Sequence, residues 1–410
     1  MIKASALYLV IVISFMLTLI LSSIIAAAFY FRLRSQQDIR YVRLAANLHS
    51  AVALVTSSDF KEDSLGTGLD LFDRGADSIW VAKNAWGVFD LAAVKSFQQR
   101  DTLQRVFLLG RKPNAGQVLY LADENRPLSV SGDTRITGEA LLPKSGIRQA
   151  YVEGRPFSGK NPVEGRIRES KPELPPLQAE MLKRVERLFL LKGNKFTGRD
   201  SVLNSFFQDA RVLQFDKDRP FPRGFSAQGR LILVSDTVLH VDRDARLENV
   251  ILIAPAVVIE GGFRGSAQFF VKDSLVTGAG CVFDYPSAFV LYKDTERLPQ
   301  PKLELGRNSV FNGLLVSYEK KHSELQTLIS LGKGSLVRGE VYATGFLKME
   351  KPLEVDGQLT CRRFLIQTPS TLYENYLLDV VLNRRKLSAF YLSSALLAPD
   401  GSTGIAKWLN

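Results

Sequence analysis

Residues 4–31, ASALYLVIVISFMLTLILSSIIAAAFYF, contain no charged residue, no proline and no glycine. At about 1.5 Å per residue, a helix of that length exceeds the roughly 30 Å hydrocarbon core of a bilayer. No water is available there, so a helix is the form in which one segment satisfies its own backbone. The stretch therefore predicts a membrane-spanning helix, with tilt absorbing the extra length. A cleaved signal peptide is the competing reading, since AAA at 26–28 resembles a small-residue cleavage site. A signal peptide's apolar core runs about 7–15 residues, far fewer than here, which favours a retained anchor.

Beyond the apolar run the helical spacing continues. Tyr41, Leu44, Leu48, Val52 and Val55 fall three or four apart, and neither a glycine before Gly66 nor a proline before Pro113 interrupts them. One helix from about Ala4 to Thr56 is expected, within a first segment 1–60. Arg32, Arg34, Arg40 and Arg43 form a basic collar directly after the span, where lipid headgroups would meet it. Taken literally, an Arg-rich flank places the following residues in the cytoplasm. The net charge of +11 likewise favours anionic neighbours: headgroups, wall polymers or nucleic acid.

Three strand candidates follow at 78–83, 87–97 and 102–110, linked by NAWG and QQRD. They predict a short antiparallel module over 61–125. Trp80 and Trp86 fit core or edge packing there. Residues 176–192, PLQAEMLKRVERLFLLK, carry Leu177, Met181, Val185 and Leu188 on one stripe and predict a helical insertion over 172–212.

Elsewhere short apolar runs recur with a glycine. Gly339 and Gly357 are 18 residues apart, and Gly313 precedes Gly339 by 26. Between the last two lies the eight-residue charged stretch EKKHSELQ (319–326); without it, 26 becomes 18. A period of 18 suits a three-sided coil of strands, each coil resting on the next, with Gly138, Gly313, Gly339 and Gly357 at corners. The expected fold is mainly β: first coil strands and a connection at 126–171, the main right-handed β-helix at 213–367, and a helical cap at 368–410. Tyr373, Tyr376, Leu377, Val380, Val381 and Leu387 carry that cap's apolar spacing. A β-sandwich, whose strands also alternate with glycine-rich turns, is the rival.

Two family resemblances attach to these residues. The order MIKASALYLVIV, YVRLAANLHSAVALV, WVAKNAWGVFDLAAVKSF over 1–110 resembles type IV pilins and pseudopilins. A leader cut after Ala4 places Leu9 where most pilins carry a glutamate. TRITGEAL, SLVRGEVYATG and LEVDGQLTCRRFLI, over about 130–145 and 230–365, resemble bactofilin-like polymer-forming β-helix domains. The whole is similar to uncharacterised membrane-anchored β-helix proteins of Bacteroidota. The resemblances imply a structural or assembly role with self or homologous β-helix partners. They also imply a single pass through the cytoplasmic (inner) membrane; the pilin likeness implies a soluble part outside the cytoplasm, the expectation favoured here, whereas the bactofilin likeness, in agreement with the Arg-rich flank, implies a cytoplasmic one.

Residues that would carry chemistry are sparse. His49, His240 and His322 share no segment, and none has a histidine or cysteine at ligand spacing, so no metal or other cofactor is expected. Cys281 and Cys361 are lone residues in apolar, strand-like contexts. GNKFTGRD (193–200) has Arg and Asp where a phosphate loop needs Lys and Ser or Thr. Asp242, Arg243 and Asp244 in HVDRDARLE are the candidates for the alternative function, carbohydrate binding or cleavage on a β-helix face; a polar corner is their simpler role. The basic stretches 32–43 and 165–171 lack the interleaved aromatics of a single-strand nucleic-acid binder. No catalytic residue is expected, and neither is a small-molecule ligand.

Overall fold

The computed structural model of the chain describes residues 2–57, 68–70, 78–98, 100–114, 116–197, 201–217, 221–295, 299–321, 324–367 and 371–409. These form two compact units, residues 1–83 with 93–105 and residues 84–92 with 106–410.

In the first unit the long helix runs Ile2–Thr56 without a break. Among the described residues it is the one helix long and apolar enough, by length and composition, to cross a membrane. Its large apolar side chains are exposed from Leu7 through Phe31, whereas Leu44, Leu48, Ala51 and Val55 are buried. The buried stripe is shorter than expected: Tyr41 lies one turn before it and is 61% exposed. Ile79, Val81 and Val94 are the buried side of strand segments in the same unit, alternating with more exposed neighbours as a pleat requires.

The three strand candidates are Ser78–Trp86, Phe89–Gln98 and Asp101–Arg111, which pass through both units. Gly87, at φ +61, makes the tight link between the first two.

The second unit is built from strands that pair in parallel and collect into three columns. One column holds, among others, Arg211–Phe215, Leu231–Ser235 and the 268–271, 287–293 and 313–319 segments of Arg264–Thr277, Val282–Lys293 and Val310–Glu319, which pair in turn. Its inward residues stack in register as Leu213, Leu233, Leu252, Phe269, Phe289, Leu315, Val341 and Leu359, all buried. A second column stacks Phe283, Phe311, Val337, Val355 and Leu382. A third stacks Leu239, Val257, Leu275, Leu303, Ile329, Leu347 and Phe364. The three columns share one apolar core, into which Phe269, Phe283, Phe289 and Phe311 pack with ring centres 4.7–6.3 Å apart. Antiparallel facing sheets would not give these pairings.

The columns do not follow sequence order, and this corrects the expected layout. Leu359 pairs not with a later residue but with Leu119, and Leu119 pairs with Ala140, which pairs with Ile167. In the second column, Leu382 is followed by Ile136 and then Val163. One circuit is thus shared: Val380–Asn383 supplies its second-column strand and Gln117–Leu121 its first-column strand. The strands expected to open the array therefore begin at Gln117, not 126, and stack beyond its C-terminal part rather than before residue 213.

The expected helical cap is not formed. Residues 372–383 hold three short strands within the stack, and the helical turn that follows among the described residues is a 3-10 turn at Arg384–Lys386. Tyr376–Leu378 pairs with Ser129–Ser131, so residues spaced for a helical stripe are taken up by tertiary pairing. Thr403–Leu409 pairs antiparallel with residues 106–111.

The insertion is also shorter than 172–212, since Asn194–Lys195 and Ser201–Asn204 already pair within columns. Its helix is Ala179–Leu188, with Met181 and Val185 buried. Residues 171–193 run back along the outside of the first column. Tyr120 donates to the Glu173 carbonyl at 2.8 Å and Tyr342 to the Pro175 carbonyl at 2.8 Å. Lys320 then pairs with Glu186 at 2.8 Å, Tyr292 meets Phe189, and the Gln214 side chain accepts from the Gly193 amide. The strap returns the chain from one end of the stack to the other.

Candidate functional site

Three of the four glycines singled out by the 18-residue spacing lie side by side on neighbouring parallel strands. Gly313, Gly339 and Gly357 pair with one another in consecutive circuits. Their φ angles are +146, +143 and +155, and a Cβ on each would overlap the backbone of the preceding circuit. The charged stretch between Gly313 and Gly339 leaves their register intact, although His322 within it lies outside the described residues. Gly138, at φ +138, holds the corresponding corner beyond the shared circuit, facing Gly116 and Arg384.

Beside this corner is a buried carboxyl. Glu340 follows Gly339 on Leu336–Met349 with its side chain on the outside of the first column, where other chain segments cover it to 4% exposure. Ser393 Oγ donates to it, and the Tyr391 hydroxyl also bonds it. Tyr391 reaches the Gly313 carbonyl at 3.3 Å, and Tyr285 donates to the Leu392 carbonyl at 2.8 Å. Burial pushes the Glu340 carboxyl up to about 7, against the opposing pull of the Ser393 hydrogen bond and of Arg384. Burial also raises the Tyr391 hydroxyl well above its usual range. A cleft of about 60 Å³ adjoins Glu340, bordered by Gln117, Tyr342, Gln358 and Thr360. It has room for water but not for a substrate of any size.

The basic collar divides. Arg32 and Arg34 are exposed, Arg34 lying 3.6 Å from Asp38 one turn on. Arg40 is half-buried with Asp101 at 3.2 Å, and Arg43 is half-buried. Between the helix and the 100–103 turn is a groove of about 610 Å³, lined by Arg34, Gln37, Asp38, Tyr41, Leu44, Arg100, Asp101, Thr102 and Leu103. Arg100 and Asp101 were legible only as the turn QQRD; their place opposite the collar depends on how the strands lie against the helix.

A third recess, about 210 Å³, lies at another corner of the stack with Arg307, Lys333, Lys348 and Lys351 around it. Glu350 and Glu153 pair with two of these cations.

The remaining candidates stay apart. His49 and His240 are exposed and belong to different units. Among the described residues no cluster of three histidine, cysteine or acidic side chains could hold a metal ion. Cys281 and Cys361 are buried free thiols, both raised by burial. Asp242 accepts from the Gly224 and Asp244 amides at 2.7 and 3.0 Å, and the Arg243 amide donates to Glu260. That carboxylate is committed to a turn.

Compared with known protein families, curated proteins and solved structures, the chain matches none.

Proposed function

We propose that this chain is a membrane-anchored structural or assembly protein: a single-pass N-terminal helix presenting a rigid right-handed β-helix at the cell envelope, as a pilin-like component of an envelope apparatus. The observation that carries the reading is the in-register column Gly313–Gly339–Gly357 beside one continuous apolar core. Chain that advances one strand spacing, about 4.8 Å, per circuit makes a stiff rod rather than a cleft. Right-handed crossovers follow from the general bias of parallel strand connections. The anchor is supported by the uninterrupted exposed apolar surface from Leu7 to Phe31, a surface that water disfavours and lipid accepts. The order of helix then strands supports the pilin-like placement, and with it an extracytoplasmic rod.

Membranes from cells expressing the full chain, washed with alkaline carbonate, test the anchor. Retention in the pellet until detergent is added is the expected result; release by carbonate removes the reading. Protease added to intact spheroplasts then reports the side, with cleavage of the rod expected.

A further inference from the structure

The groove beside the helix has both a position and a charge pattern that select a ligand. Its lining starts at Arg34, three residues past Phe31, and ends on the helix at Leu44. At about 1.5 Å per residue this interval begins roughly 5 Å and ends roughly 20 Å beyond the last residue of the apolar run. The polar layer of a bilayer adds about 5–8 Å on each side of its core, so the mouth of the groove falls at headgroup depth. Tyr41, about 15 Å beyond Phe31 and so on the aqueous side of that layer, is exposed at the groove.

The lining contains two arginines, Arg34 and Arg100, and two carboxylates, Asp38 and Asp101. Asp38 has a loose pairing with Arg34 at 3.6 Å, and Asp101 pairs with Arg40 at 3.2 Å. Arg100 makes no hydrogen bond or ion pair among the described residues. A ligand with net negative charge would meet both carboxylates, and a ligand without a phosphate would leave Arg100 unmatched. A zwitterion with a phosphate and a hydrogen-bonding ammonium meets all four.

We propose that this groove binds the headgroup of a zwitterionic phospholipid carrying a primary amine, its phosphate against Arg34 and Arg100 and its ammonium against Asp38 and Asp101. A quaternary ammonium donates no hydrogen bond to the carboxylates, and a glycerol headgroup brings them no charge. The inference rests on the membrane-anchor reading and adds a lipid preference to it.

The test uses the delipidated full chain in mild detergent, titrated with phosphatidylethanolamine, phosphatidylcholine or phosphatidylglycerol of identical acyl chains and read by native mass spectrometry. The ethanolamine lipid is expected to give adducts about fivefold more abundant than either other lipid, the size of one net hydrogen bond of about 1 kcal/mol. Asp38→Asn with Asp101→Asn, which removes the carboxylates assigned to the ammonium, should reduce that signal to the choline level at an unchanged melting temperature. Equal adducts for the three lipids, a preference for the glycerol lipid, or a preference that survives the double substitution overturns the proposal. Carbonate extraction separates the failures: release of the chain defeats the anchor itself, whereas retention with equal adducts defeats the groove alone.

Discussion

Glu340 occupies an outward position on its strand that the chain later covers, so its carboxyl is desolvated without a cation in contact. Between its ordinary value of 4.5 and about 7 the unfolded chain has released this proton and the folded chain has kept it. Folding then costs more as pH rises through that window and the loss is complete above it. At about 1.4 kcal/mol per pH unit the full loss is roughly 3 kcal/mol. Glu340→Gln keeps the shape and an acceptor for Ser393 but cannot ionise. It should therefore be more stable than the parent by about 2–3 kcal/mol near pH 8 and nearly equal to it near pH 4. Urea midpoints at the two pH values check this, and a parent more stable than the variant at pH 8 would refute it. Two glycines with positive φ, Gly280 and Gly339, make a second test at this scale. Gly280 has φ +71 with open space where a Cβ would go, so Gly280→Ala should cost only the backbone strain, about 1 kcal/mol. Gly339→Ala adds a clash with the Gly313 carbonyl and should cost at least ~3 kcal/mol by the same measurement.

The shared circuit is the element on which the stack depends. Leu382, fully buried, lies between Val355 of one circuit and Ile136 of the next, although these neighbours are far apart in sequence. Leu382→Asp places an unpaired charge there. It should remove amide protection together from 117–121, 135–142 and 357–361 while leaving 231–235 and 251–254 protected, as read by hydrogen exchange. A stack in sequence order would instead lose only its C-terminal end. The helix, the three strands after it and the 18-residue step could be read from the sequence because each rests on local spacing: an unbroken apolar run, short apolar runs between turns, a glycine at a fixed interval. The order of stacking could not. Leu119, Leu359 and Leu382 offer the same inward apolar surface as any other circuit, and a parallel strand accepts any neighbour with matching alternation. The strap and the covered Glu340 were hidden for the same reason, since VRGEVYATG reads as an ordinary strand until residues 391–397 are placed over it. Arg34 could be singled out by its nearness to the span; Arg100, more than sixty positions later, could not.

At the scale of the whole molecule, the question is what stops a stack of parallel strands from growing. An unpaired strand edge recruits further strands unless something blunts it. Among the described residues the terminal strands Val163–Glu164 and Ile167–Glu169 pair on one side only. Among the described residues no helix closes that end, as the sequence had suggested for 368–410; charge is present instead. Glu164, Arg166, Arg168 and Glu169 are all exposed there around a single exposed Ile167. The strands are two and three residues long, too short to offer a long flat template. These features oppose open-ended addition, so the full chain in detergent should sediment as one size over a wide concentration range. Replacing Arg166 and Arg168 by Val leaves an apolar, β-favouring edge of VIV beside Glu169. That variant should form larger species whose proportion rises with protein concentration, and an unfolding free energy from urea within about 0.5 kcal/mol of the parent would confirm that the strand stack itself is intact. A parent that already sediments as end-to-end multimers, dispersed rather than extended by the same substitutions, would instead make these arginines contacts between copies.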